Sequence, residues 1–106
     1  MTPQFCIVLT ATDSAQLADH IAHALVDQKL AACVNITPAI TSVYRWKNKI
    51  EKTKEWLLII KTRRHLSHKV ETAIRKLHTY TIPECIVIPI DGGSKDYLDW
   101  VLGSTK

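Results

Sequence analysis

The sequence predicts an α+β domain: an antiparallel sheet built in the order β-α-β-β-α-β, followed by one further helix. Three observations carry that expectation. Apolar, β-branched stretches alternate with two segments whose apolar residues recur at helical spacing. A short Lys-Asn-Lys turn joins the second and third extended stretches, which makes them a hairpin. Proline and an Asp-Gly-Gly triplet punctuate the chain where strands should begin or end.

Gln4 to Ala11 (QFCIVLTA) reads as the first strand, β-branched and free of breakers. Thr12-Asp13-Ser14 follows, and the oxygens of Asp and Ser accept bonds from the exposed first-turn amides of a helix. That helix runs to about Gln28, with Leu17, Ile21, Ala24 and Leu25 on one apolar stripe. His20 borders the stripe and His23 lies away from it. A second extended stretch, Ala32 to Trp46, is interrupted by Pro38, which marks an edge or a bulge and bends the strand. Lys47-Asn48-Lys49 is the turn, and Ile50 to Thr62 returns as the third strand. At about 3.3 Å per residue this hairpin reaches roughly 40 Å, more than so short a domain needs. Its far end should protrude, with Tyr44, Trp46 and Trp56 as surface to bury on a neighbour.

Leu66 to Leu77 is the second helix, its core face formed by Leu66, Val70, Ala73, Ile74 and Leu77. His78 stands at its C-terminal end. Ile82-Pro83 is a boundary, because proline lacks an N–H and biases the preceding residue towards extended geometry. The fourth strand spans Glu84 to Ile90; Cys85 to Ile88 is apolar on both faces, as for a strand buried from both sides. After the turn Asp91-Gly92-Gly93, Ser94 caps a last helix, Lys95 to Leu102, with Tyr97, Leu98 and Val101 inward and Trp100 beside them. Right-handed crossovers then give a four-stranded antiparallel sheet with both long helices on one face, the ferredoxin-like arrangement. The uncovered face and the overlong hairpin argue for an oligomer.

A chain of 106 residues makes one domain, or a small one that completes its core by oligomerising. With 46% hydrophobic and 23% charged residues the composition is that of a soluble globular protein. No apolar run approaches the roughly 18 residues of a membrane span, and no basic segment precedes an apolar one at the start. The expected location is therefore the cytoplasm, with no membrane partner. Three cysteines, Cys6, Cys33 and Cys85, lie among apolar neighbours without CxxC spacing, and so are expected as buried reduced thiols. The net charge of +4 is concentrated at Arg45, Lys47, Lys49, Lys52 and Lys54, offset by Glu51 and Glu55. Such a patch suits an anion, a nucleic acid or an acidic partner, or simply keeps a hairpin soluble.

Several functions carried by this arrangement are argued against by their own chemistry. A soft-metal chaperone needs two thiolates in the first β-α loop, which here reads Thr10-Ala11-Thr12-Asp13. An RNA-recognition sheet needs stacking aromatics on the third strand, where Trp56 stands alone before Leu57-Leu58-Ile59-Ile60. An acyl-phosphate hydrolase would want an Arg in a Gly-rich first loop. Without those or a Ser–His–acid order, the chain is expected to be neither an enzyme nor a nucleic-acid binder.

Five motifs stand in register over nearly the whole chain: Lys29-Leu30-Ala31-Ala32-Cys33, Ser42-Val43-Tyr44-Arg45-Trp46, Ile60-Lys61-Thr62, Tyr80-Thr81-Ile82-Pro83-Glu84 and Asp96-Tyr97-Leu98-Asp99-Trp100. In these the chain resembles the CutA1 proteins, named for divalent cation tolerance. The resemblance implies a cytoplasmic homotrimer whose long hairpins extend the sheets of neighbours, and a link to tolerance of copper and other divalent metals. It also implies an architecture similar to PII-type signalling trimers, which take small effectors in clefts between subunits. Copper binding in bacterial members is attributed to a Cys at the first β-α junction and two consecutive His at the end of the second helix. Those positions fall at Thr10, Leu77 and His78, so His78 alone keeps a side chain able to hold Cu²⁺ or another divalent cation. Two other imidazole pairs, His20 with His23 and His65 with His68, are spaced i, i+3. For the intersubunit cleft, the candidate residues are Lys61 and Glu84, ions that emerge from apolar runs and need partners, walled by Tyr80, Trp46 and Trp100. The ligand expected there is small and anionic or metal-bearing; the alternative is a Lys61–Glu84 pair that holds the trimer together.

Overall fold

A computed structural model describes residues 4–106. The chain forms β1 (Phe5–Thr12), α1 (Ala15–Asp27), β2 (Cys33–Ile36), β3 (Ile40–Trp46), β4 (Lys49–Arg63), a 3-10 turn (Arg64–Leu66), α2 (Ser67–Leu77), β5 (Ile86–Ile90) and α3 (Lys95–Gly103). The sheet order is β2-β4-β1-β5, with every pairing antiparallel, and β3 continues along β4 beyond the end of β2. This is the expected α+β arrangement of antiparallel sheet and helices.

Alternation along the strands sets the core. Cys6 and Val8 of β1 and Leu58 and Ile60 of β4 point to the side where Ala18, Ile21 and Leu25 of α1 and Val70 and Ile74 of α2 are also buried. Ser14 caps α1 as its sequence position suggests, its Oγ accepting from Leu17 N–H at 3.1 Å. The other end closes by a Schellman motif: Leu30 N–H donates to Leu25 O at 2.9 Å and Lys29 N–H to Val26 O at 3.0 Å. Lys29 takes the left-handed conformation there, at φ 58°, where glycine is usual.

Four local expectations need correction. The long second strand is two, split at Thr37-Pro38-Ala39. Pro38 has no amide to give the ladder, and Thr37 spans the break, its N–H donating to Leu57 O and its Oγ1 accepting from Leu57 N–H. The turn is Lys47-Asn48 alone, both at positive φ (51° and 64°), so Lys49 already pairs with Trp46 and β4 starts one residue early. β5 is an edge strand, two residues shorter than Glu84–Ile90, and Ile86, Val87 and Ile88 are 50%, 42% and 42% exposed. Its two-sided apolarity finds no cover among the described residues, and Pro89 sits on that edge, where a missing N–H costs least. In α3 only Val101 is fully buried; Tyr97 is largely exposed, and Ser94 stands at the N-cap without a side-chain capping bond. Of the free thiols, Cys6 is buried and Cys33 and Cys85 are half-buried.

Candidate functional site

The loop between α2 and β5 crosses the end of β1 and is pinned there by His78. Its Nε2–H donates to Ala11 O at 2.7 Å, while Nδ1 accepts from Tyr80 N–H at 3.1 Å. The two bonds select the neutral tautomer protonated at Nε2 and leave no lone pair free. The imidazole also lies against the Tyr80 ring, with centroids 4.6 Å apart. Tyr80 is thereby aimed at β4, where its hydroxyl donates to Glu55 Oε2 at 2.7 Å. Glu55 is only 8% exposed. Burial first, then the hydrogen bond to Glu55 and that residue's charge, push the Tyr80 pKa far up, so the phenol keeps its proton.

Around this pair opens a cleft of about 660 Å³, lined among others by Ser42, Tyr44, Trp46, Glu55, Tyr80 and Glu84. The hairpin supplies one wall and the α2–β5 loop the other. Burial and, second, the negative charge of Glu55 raise the Glu84 pKa above its ordinary value.

Of the sequence-predicted cleft residues, Trp46, Tyr80 and Glu84 meet here, and Lys61 and Trp100 do not. Lys61 is six residues beyond Glu55 on β4, about 20 Å along the strand. Its Nζ donates to Asn35 Oδ1 and lies 4.0 Å from the sulfur of Cys33, its register partner. Trp100 packs on Tyr97 in α3, ring centroids 5.6 Å apart. The expected Lys61–Glu84 pair is therefore not made within the chain. Among the described residues the ion pairs are local to helices: Arg75–Glu71, Lys95–Asp99 and the imidazole contacts His23–Asp19 and His68–Glu71. Glu55 is the functional candidate the sequence concealed, because it follows Lys52-Thr53-Lys54 and reads there as one more solvated charge.

The metal candidates separate as well. Leu77 carries no ligand atom, and Thr10 is fully buried with its hydroxyl unpartnered among the described residues. His78 has both nitrogens committed, as above. No group of three or more His, Cys, Asp or Glu side chains among the described residues is placed to hold a metal ion. His65 lies in the 3-10 turn ahead of α2, so it does not share a helical face with His68. His20 and His23 do share α1, and His23 Nδ1–H donates to Asp19 O at 2.9 Å, which leaves Nε2 as its free acceptor.

Fold and motifs together place the chain among the divalent cation tolerance proteins. The family model described as CutA1 divalent ion tolerance protein matches residues 6–104. The divalent-cation tolerance protein CutA of Thermus thermophilus is 43% identical over 99 residues, 93% of this chain and 96% of that protein. The chloroplastic CutA of Arabidopsis thaliana is 42% identical over 94% of this chain, which spans 55% of that longer protein. Among solved structures, CutA1 of Shewanella sp. SIB1 superposes with a TM-score of 0.95 at 36% identity, covering 99% of this chain and 98% of that one. The chain belongs to the CutA1 family. No helix among the described residues is long and apolar enough to cross a membrane. Relatives are named as chloroplastic in Arabidopsis thaliana and periplasmic in Archaeoglobus fulgidus.

Proposed function

We propose that the protein is a non-enzymatic, cytoplasmic homotrimer that serves divalent metal tolerance through a small ligand taken up in the Tyr80–Glu55–Glu84 cleft. The observation that carries this reading is the cleft itself: a buried carboxylate held by a tyrosine whose loop is fixed by His78, facing a second carboxylate and aromatic walls. The chemistry in the cleft suits binding rather than catalysis. Its phenol is held protonated and bonded to Glu55, so that hydroxyl is committed to holding the carboxylate rather than to attacking a substrate. The exposed apolar faces of the hairpin and β5 support assembly with further copies. Metal enters as the condition answered, since His78 would have to break one of two hydrogen bonds to ligate copper.

A second reading is direct capture of Cu²⁺ or another divalent cation, and one observation favours it. His23 has Nδ1–H tied to a carbonyl and Nε2 free, the orientation seen in metal-ligating histidines, one helical turn from His20. Growth of a strain lacking the gene, under raised Cu²⁺, separates the two. Rescue should fail with a Trp46→Ala/Glu84→Gln variant and persist with His20→Ala/His23→Ala. The reverse pattern assigns tolerance to the imidazoles.

A further inference from the structure

The lining of the cleft specifies the charge of its ligand. Glu55 and Glu84 both face it, and no Lys, Arg or His is among its lining residues. Both carboxylates crowd one partly desolvated space, and a positive group placed between them would relieve their repulsion. Glu55 is more than nine-tenths buried, yet only its Oε2 is bonded, by Tyr80; Oε1 receives no protein donor among the described residues. Tyr44, Trp46 and Tyr80 supply aromatic faces, whose negative quadrupoles attract cations. Lys47 shows that preference at the rim, with its ammonium 6.0 Å from the centre of the Trp46 ring.

We infer, resting on the cleft reading above, that the ligand is a small organic cation bearing an ammonium or guanidinium group. An inorganic anion finds no Lys, Arg or His among the described residues that line the cleft. A bare divalent ion would leave most of about 660 Å³ and three aromatic walls unused. A guanidinium or ammonium instead donates to the open oxygen of Glu55 and to Glu84 and lies flat on the rings. The hydroxyls of Ser42, Thr79 and Thr81 remain as acceptors for further N–H groups.

Calorimetric titration of the intact protein tests this with agmatine and butylamine as cationic probes, glutarate as anion and Mg²⁺ as bare ion. Agmatine should bind, and bind at least tenfold more weakly to Glu84→Gln and to Trp46→Ala. Thermal unfolding without probe provides the fold control: Glu84→Gln should melt no lower than the parent while losing affinity. A purely structural defect would lower both. Binding of glutarate or Mg²⁺ in place of the organic cations overturns the charge assignment and leaves the cleft as the site. If no probe binds and Glu84→Gln weakens subunit association, the carboxylates serve a subunit contact and both readings fall.

Discussion

Glu84 couples pH to stability with a sign that is easily checked. Its folded pKa lies above the ordinary 4.5, so the folded state holds the Glu84 proton more tightly than the unfolded chain does. The stabilisation due to the protonated form is present at acid pH and is lost as pH rises from about 4.5 through the folded value. Glu84→Gln should therefore leave thermal stability unchanged below that window and raise it above. The gain should stay under about 1 kcal/mol, because solvent screens this exposed group. Melting curves taken on both sides of the window measure it; an equal shift at every pH would mean a packing effect. Thr10 offers a second test. Its hydroxyl is buried without a partner among the described residues, so Thr10→Val should stabilise by about 1 kcal/mol in urea denaturation. Tyr80→Phe should have the opposite sign. It strands a buried carboxylate, at a cost of about 1–3 kcal/mol. Tyr80, Glu84 and Glu55 also show what sequence conveys about a site. Tyr80 and Glu84 stand out beside a proline at a helix–strand boundary. Glu55 does not, because its burial comes from a register, Ile40 against Glu55, and from a loop arriving 25 residues later in the chain.

At the scale of elements, helix and strand identities follow from periodicity, and the misreadings lie where one backbone group decides. The Pro38 break depends on a missing amide that Thr37 replaces. The hairpin turn is one residue tighter than expected because Lys47, as well as Asn48, accepts positive φ. The edge position of β5 is a property of strand order, which hydrophobic runs do not encode: a strand apolar on both faces reads alike whether a helix or another subunit covers it. Lys29 is the comparable case at the end of α1. A non-glycine residue in the left-handed region is strained by roughly 1–2 kcal/mol, part of which glycine recovers against its larger unfolded-state entropy. Lys29→Gly should raise stability by about 0.5 kcal/mol, read from the denaturation midpoint at unchanged slope.

The whole molecule is too open for its size. A folded chain of 12.0 kDa is expected to expose about 6,000 Å², and this one exposes 6851 Å² over extents of 44 × 27 × 23 Å. Exposed apolar side chains contribute to the surplus: Val43 and Ile50, on neighbouring strands of the hairpin, are 65% and 71% exposed, and Ile86, Val87 and Ile88 of β5 are 50%, 42% and 42% exposed. The proposed homotrimer draws on these surfaces, and the hairpin links assembly to the cleft because Val43 also lines it. Ile50→Glu places a carboxylate on the hairpin far from the core cluster, so the fold should persist while association fails. Sedimentation equilibrium should then report one 12.0 kDa chain instead of three, with the far-ultraviolet spectrum retained. Agmatine affinity should fall with it, although Ile50 does not line the cleft, because its hairpin wall would lose the support of neighbouring copies. A variant that stays trimeric would move the interface away from the hairpin; one that becomes monomeric yet binds agmatine undiminished would make the cleft complete within a single chain.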